Sequence, residues 1–487
     1  MEYAETKSDE IDNQKSEATS TTENDQSLIL QLVITAAVIL ILAAVNLLAP
    51  PTGLSRSGFQ MIGIALVSAL LWSTELIPIP ITALLIIFLQ GIFDILPFQQ
   101  SLASLAHPVN TLLFVGFVLA AGLQKFDLDR RISISFIKLA GTRVRRLLFA
   151  MMAIVAILSM WMSNTSTVAL VVPIVISIIE VSKGEYPNLK RSFMIGIAYA
   201  GTIGGIATPV GTPPNPITIG FLSDMAGVNI SFLDWIMIGL PFSLILLPVA
   251  WLVVILIYPP EIDEIEVPAS ALEMEINENN KWGVRRFLLI FMAIVVLWLA
   301  ESFFALPDNW LYLVAVGGSI TMCLPMIGVL SWEELSDEVN WGVLILIGGG
   351  LALGSGLSES GVISWIVNSF MAQIQHLPIN LVIIVVAAMT SLSIMFFCSL
   401  TATSTAFVPL AITLALQLDA DPLIFAAAAG IASSFAYILP ANTPPNAISY
   451  SSGYFETKDM IVSGLILLAL SILVFMLVSN FLWPVIL

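Results

Sequence analysis

Two polar stretches recur in this chain, each in an apolar setting, and together they hold residue types suited to binding a small ion away from bulk water. SNTSTVALVVP at 163–173 matches SLTATSTAFVP at 399–409 in Ser, Thr, Thr, Val and Pro, and PVGTPPN at 209–215 matches PANTPPN at 440–446 at five of seven positions. A helix cannot run through Thr-Pro-Pro, because each proline removes an N–H and clashes with the preceding turn. A helix that restarts after such a break presents an N-terminus with partial positive charge and free N–H groups, which attract anions. Ser163, Thr165, Thr212, Ser399, Thr401 and Thr443 place hydroxyl donors beside the four breaks. Half-helix C-termini and exposed carbonyls at the same places suit a small hard cation such as Na⁺. No Lys, Arg or His lies at any break, so a bound anion would be held by dipoles and hydroxyls, helped by a co-bound cation. A single Ser or Thr in a membrane helix more often bridges to a neighbouring helix; it is the duplicated cluster beside Pro-Pro that favours a site.

Other chemistries lack their residues. The two cysteines, Cys323 and Cys398, give no disulfide framework and no CxxC spacing. The glycine-rich stretches GGIATPVG and GGGLALGSG have no strand before them and no Walker lysine, so they are not nucleotide loops. A membrane-embedded enzyme would need an HExxH pair or an intramembrane nucleophile and base. The only histidines, His107 and His376, fall in loops expected to be external and read as surface residues. A channel remains a competitor, since hydroxyls and carbonyls also line pores, but a pore does not require two opposed, occluding hairpins. Glu75, in the WSTE segment, reads as a helix-end or inner-surface residue.

The elements that must position the polar stretches follow from composition. Of 487 residues, 58% are hydrophobic and only 10% charged, with a mean hydropathy of +0.97; a soluble domain is about one-quarter charged. Apolar runs of about 20 residues, each enough to cross a bilayer as a helix, predict spans near 28–49, 58–78, 80–97, 108–124, 191–225, 234–257, 286–306, 309–329, 341–357, 423–452 and 459–484. The runs 147–182 and 378–417 are longer than one span and have polar centres, so they read as re-entrant hairpins. The expected fold is therefore an all-α polytopic membrane protein of about eleven transmembrane helices plus two hairpins.

Charge placement supports this. With the N-terminus inside, 16 of the 17 basic residues fall on the cytoplasmic side and only Arg56 falls outside. Residues 1–26 carry eight acidic and two basic side chains and read as a disordered cytoplasmic tail. Residues 125–146 mix basic and apolar residues in the manner of a helix lying on the inner surface. The expected organisation is a tail at 1–26, a first transmembrane helix within 27–57, one repeat at 58–258, a polar cytoplasmic linker at 259–284 and a second repeat at 285–487, ending outside. A weaker third match sets Gly116, Leu119, Gly122 and Leu123 against Gly350, Leu353, Gly356 and Leu357. The three offsets are 234, 236 and 231 with order preserved, and the charge model inverts one repeat relative to the other. Inverted repeats with interrupted helices mark secondary transporters, whose sites lie near the midplane where the helices break.

With LLWSTELIPIPITALL at 70–85, the SNT at 163–165, GTPPN at 211–215 and NTPPN at 442–446, the chain resembles the divalent anion:sodium symporter family from about residue 30 to its end. The resemblance implies sodium-coupled transport of a di- or tricarboxylate or sulfate, with C4-dicarboxylates favoured, or sodium-independent dicarboxylate exchange. It implies a plasma-membrane homodimer in which a scaffold holds a mobile domain that moves as an elevator. Substrate contacts carry over onto Ser163, Asn164, Thr165, Ser399 and Thr401, with Thr212, Pro213, Thr443 and Pro444 alongside. A first sodium site carries over onto Ser159, Ser163, Asn164 and Gly211. The second half departs from the family pattern: Leu400 stands where the tip usually has Asn, and Met395 where a Thr is common. Asn442 is left to offer an amide oxygen to a second sodium site. No organic cofactor and no nucleic acid are implied.

Overall fold

A computed structural model of the chain describes residues 30–181, 184–268 and 281–486. The acidic stretch at 1–26 and most of the linker's centre, 269–280, lie outside these. The regular elements among the described residues are all helices, with an isolated bridge between Arg143 and Glu264 besides.

After α1 (Leu30–Leu47), the first half runs α2 (Arg56–Thr74), α3 (Ile79–Ile92), a short α4 (Phe98–Ala103), α5 (Val109–Lys125), α6 (Leu128–Ala140), α7 (Val144–Ser159), α8 (Asn164–Val181), α9 (Pro187–Gly205), α10 (Pro214–Ala226) and α11 (Phe232–Ile257). The second half repeats that order: α12 (Lys281–Ala300), α13 (Trp310–Cys323), a short α14 (Trp332–Glu338), α15 (Trp341–Glu359), α16 (Val362–Ile374), α17 (Ile379–Phe397), α18 (Leu400–Gln417), α19 (Pro422–Ala432), α20 (Pro444–Ser451) and α21 (Thr457–Leu477). A π-helical turn and α22 (Trp483–Ile486) close the chain.

Helix breaks fall where the prolines and the polar centres require them. The run 147–182 is split into α7 and α8 by the turn 160–163, and 378–417 into α17 and α18 at Cys398–Ser399. The run 191–225 is split into α9 and α10, and 423–452 into α19 and α20, each before Pro-Pro. Among the described residues, ten helices are long and apolar enough to cross a membrane by length and composition. Three of the ten, α8, α17 and α18, belong to the expected hairpins. An 18-residue arm is about 27 Å long, close to the ~30 Å hydrocarbon thickness, so length alone does not separate an arm from a span.

Two boundaries differ from the sequence reading. The stretch 358–378, read as an external loop, contains α16, whose apolar residues Val362, Ile363 and Val367 are buried. It occupies the same place in the order of elements as α6; without basic residues it lacked the cue that marked α6 as a surface helix. The linker ends at Lys281, where α12 begins. Its first part is pinned to the starts of α7 and α9: Val144 N–H donates to Asp263 O at 2.9 Å, Ile265 N–H to Thr142 O at 2.8 Å, and the Glu261 carboxylate accepts from the N–H groups of Asn188 and Leu189 at 2.7 and 3.0 Å. Glu75 is the left-handed C-cap of α2, with φ 49°.

The interior is centred on α9 and α19. Every residue from Ser192 to Gly205 and from Phe425 to Ala432 is buried, as befits a helix apolar on all sides. The halves interlock: α10 packs on α18 and α19, while α20 packs on α8 and α9. By contrast α1, α12 and α13 expose Leu40, Leu289, Val296 and Leu313 to the surroundings, an outer face that suits lipid contact rather than water.

Candidate ion-binding site

The tip serines act first as helix caps. Ser399 Oγ accepts from Ala402 N–H at 3.3 Å with an extended φ of −149°, and Ser163 Oγ accepts from Ser166 N–H at 3.1 Å. Each cap satisfies the N3 donor and leaves the first two N–H groups of the arm, at Asn164 and Thr165 and at Leu400 and Thr401, without an intrahelical partner. The hairpin tips therefore present backbone donors at the positive ends of α8 and α18.

The broken helices are built differently, and here the sequence expectation needs correction. Their leading residues, Pro213 and Pro214 in one half and Pro444 and Pro445 in the other, have no N–H to offer. Asn215 N–H is already bonded to Thr212 O at 3.1 Å, and Ala447 N–H to Thr443 O at 3.1 Å. Besides the Asn446 N–H, what remains is the threonine ahead of the prolines. Thr212 and Thr443 are 1% and 5% exposed, and the hydroxyl of each is buried without a hydrogen-bond partner. A buried hydroxyl left unpaired costs about 1–3 kcal/mol. The same orphan occurs twice, at equivalent places in the duplicated motif, as do the Oδ1 atoms of Asn215 and Asn446.

Breaking a helix also frees carbonyls, and these are covered. Asn215 Nδ2 donates to the carbonyls of Gly205, Thr208 and Ile206 at 2.8, 2.6 and 3.3 Å. Asn446 Nδ2 donates to Ala436 O and Leu439 O at 2.7 and 3.0 Å. Trp235 Nε1 and Ser243 Oγ reach from α11 to Ile206 O at 3.1 Å and Ile203 O at 2.8 Å, and Tyr199 OH reaches Tyr437 O at 3.1 Å. Such internal donors permit irregular backbone away from water. Sequence reasoning singled out neither asparagine, although the last residue of TPPN was duplicated along with the rest.

In the first half, hairpin and break meet. Ser159 Oγ bonds Asn164 Oδ1 at 2.5 Å and Gly201 O at 2.7 Å, and Thr208 Oγ1 donates to Met160 O at 2.6 Å. A Cβ at Gly205 would lie 2.5 Å from Asn164 Oδ1 and 3.2 Å from Thr212 Cβ; one at Gly211 would lie 2.5 Å from Gly205 O and 2.9 Å from Ser159 O. Only glycine lets these groups approach so closely. Ser159, Asn164, Gly211 and Thr212 thus share one locus rich in oxygen, a donor set that suits a hard cation, with Ser163 capping the adjoining arm. Thr165 and Pro213 are half-buried and Pro444 is exposed.

The second half is not a copy. Thr401 is 5% exposed and Ser399 half-buried, but Leu400 and Met395 contribute no oxygen. Asn442 Oδ1 accepts Leu439 N–H at 2.9 Å, and its Nδ2 donates to Ile394 O on α17 at 3.3 Å. The amide oxygen expected to serve a second sodium site accepts one N–H here, as Asn164 Oδ1 accepts one hydroxyl. No charged side chain occurs in 159–167, 205–215, 395–403 or 436–446. His107, expected to be a surface residue, is partly exposed and pairs with Asp224 at 3.2 Å.

The sequence pattern described as the transmembrane region of sodium:sulfate symporters matches residues 26–487. The sodium-dependent dicarboxylate transporter SdcS of Staphylococcus saprophyticus is 32% identical over 464 residues, covering 90% of this chain and 88% of that one. The SdcS protein of Staphylococcus aureus strain USA300 is 30% identical over 463 residues with the same coverage. Among solved structures, the Alcanivorax borkumensis YdaH transporter, described as having an unusual topology, shares the fold at a TM-score of 0.52 with 12% identity, over 80% of this chain and 88% of that one.

Proposed function

This chain belongs to the divalent anion:sodium symporter family, and on that premise we propose that it is a secondary active transporter carrying small divalent anions, C4-dicarboxylates first, coupled to sodium. The observation that carries the reading is the pair of buried, partnerless hydroxyls of Thr212 and Thr443, each at the head of a half-helix packed on the other half's hairpin arm. A succinate-like dianion has two separated carboxylates, and two equivalent donor sets give each carboxylate its own: tip N–H groups from one arm with one threonine hydroxyl. The oxygen locus at Ser159, Asn164 and Gly211 supplies a sodium site beside the first set, and the cation offsets the anion's charge where no Lys or Arg does so.

Movement has a physical basis in the contacts of α5 and α15. Gly116 on α5 lies against Val210 O of the first break, and Gly350 on α15 against Thr405 of the second hairpin. These two glycines belong to the third repeat match, and at each of them the helix touches an ion-binding element. Smooth glycine contacts without hydrogen bonds permit sliding. We therefore read α7–α11 and α17–α21 as a mobile unit, and α1–α6 with α12–α16 as a scaffold that pairs two chains into a homodimer in the plasma membrane, with inverted repeats and the N-terminus inside. Uptake of labelled succinate by proteoliposomes tests the function: inward sodium should stimulate it. Sodium-independent uptake driven by internal dicarboxylate would instead establish exchange, the second reading, which the absence of side-chain oxygens at Leu400 and Met395 favours.

A further inference from the structure

Gly211 and Asn442 occupy the same place in the duplicated motif, immediately ahead of Thr-Pro-Pro. At Gly211 there is no side chain, and the backbone oxygens of Gly205 and Ser159 close on the point where one would begin. Gly205 O accepts Asn215 Nδ2 at 2.8 Å, and on the transport reading a cation takes the remaining lone pairs of the two carbonyls. At Asn442 a side chain fills the corresponding point and is 1% exposed. Its orientation is fixed chemically: Leu439 N–H can donate only to the amide oxygen, at 2.9 Å, so the NH₂ end faces Ile394 O at 3.3 Å. That bond joins the broken helix to the hairpin arm, as the first-half oxygens do around their locus. The hairpin side has meanwhile lost two oxygens, with Leu400 at the place of Asn164 and Met395 at the place of Ser159.

We infer that the NH₂ group of Asn442 takes the place of a sodium ion at the second hairpin, a tethered donor that bridges α17 to the second break where the first half uses a free cation. The inference rests on the transport reading above and concerns its stoichiometry. Ile394 O already accepts Cys398 N–H at 2.9 Å, and a carbonyl oxygen has a second lone pair that either a side-chain donor or a cation can take. The donor is neutral and stays with the protein, so it adds no charge and no ion gradient to the cycle. A dianion then travels with the sodium of the first site only, and the loaded site keeps a net negative charge.

Equilibrium binding of ²²Na⁺ to the purified full chain, together with uptake by proteoliposomes, tests this. The wild type should bind one sodium per chain and show a hyperbolic sodium dependence. Asn442→Gly should raise the sodium concentration for half-maximal uptake by roughly tenfold, the scale of one lost buried hydrogen bond, and adding Leu400→Asn and Met395→Ser should yield a second bound sodium and a sigmoidal curve. Asn442→Asp keeps an acceptor for Leu439 N–H and replaces the donor by a carboxylate, so it should gain a second cation by itself. Two sodium ions bound per wild-type chain, or an Asn442→Gly protein with wild-type sodium dependence, would overturn the inference. If the glycine variant does not fold, an aspartate variant that gains no cation overturns it equally. A wild type that binds no sodium, with Asn164→Ala changing nothing, would instead defeat the coupled-transport reading, and Asn442 would then be judged on the aspartate variant.

Discussion

Replacing Thr212 and Thr443 by valine separates a ligand donor from a structural hydroxyl. Valine has nearly the shape of threonine without the O–H, so the change removes one polar atom and leaves the packing in place. Both side chains are buried, at 1% and 5% exposure, and neither hydroxyl has a partner, so the unliganded protein loses no hydrogen bond. It is relieved of a buried unpaired group, whose burial costs about 1–3 kcal/mol. Thermal stability without substrate should therefore be unchanged or higher in Thr212→Val and Thr443→Val. The liganded protein behaves oppositely. A hydrogen bond to a charged group contributes about 1.5–3 kcal/mol, and each 1.4 kcal/mol is tenfold in affinity, so each variant should weaken half-saturation for a dicarboxylate by roughly ten- to 150-fold. The assay is a melting curve of purified protein with and without succinate, paired with uptake by proteoliposomes. A variant that melts earlier without ligand and transports with wild-type half-saturation would refute the reasoning, because the hydroxyl would then be a structural donor.

Other substitutions probe the same locus and the arrangement around it. Asn164→Ala and Thr165→Ala should abolish uptake while size-exclusion profiles stay unchanged, since loss of the Asn164–Ser159 bond leaves Ser159 still bonded to Gly201. Gly211→Ala should remove sodium-dependent stabilisation, because its Cβ would lie 2.5 Å from Gly205 O and 2.9 Å from Ser159 O and backbone atoms there have nowhere to move; thermal shift against sodium concentration reads this. Cysteines placed at Arg146, Lys281 and His376 should label from opposite sides of sealed cells, the first two from inside and the third from outside, and same-side labelling of all three would sink the inverted arrangement. Moving a dianion alone inward against −100 mV costs about 4.6 kcal/mol, at roughly 2.3 per elementary charge. Symport with one sodium leaves about half of that cost, so an inside-negative potential should slow uptake; strict dianion exchange should not respond to it.

The sequence by itself determined the membrane-helical class, the repeated order and the places where helices stop. Low charge and long apolar runs exclude a water-soluble core, and Pro-Pro forbids helix continuation whatever surrounds it, so 212–215 and 443–446 announce their breaks without tertiary information. The duplication made Ser163, Thr212, Ser399 and Thr443 legible as a set. Helix α16 was missed because its apolar spacing at 362, 363, 366, 367 and 370 was outweighed by the lack of basic residues. Tertiary structure alone decided which donors are free. Proline has no N–H, so the broken helices offer hydroxyls where the tips offer backbone donors, and only packing shows that Thr212 and Thr443 are buried unpaired while the amides of Asn215 and Asn446 cover freed carbonyls. It alone turned the Asn442 amide, whose oxygen and nitrogen are equivalent as letters in a sequence but opposite as partners for a cation. Hydrogen-bond direction depends on which groups converge from distant parts of the chain, here Leu439 and Ile394, and local sequence does not carry that convergence.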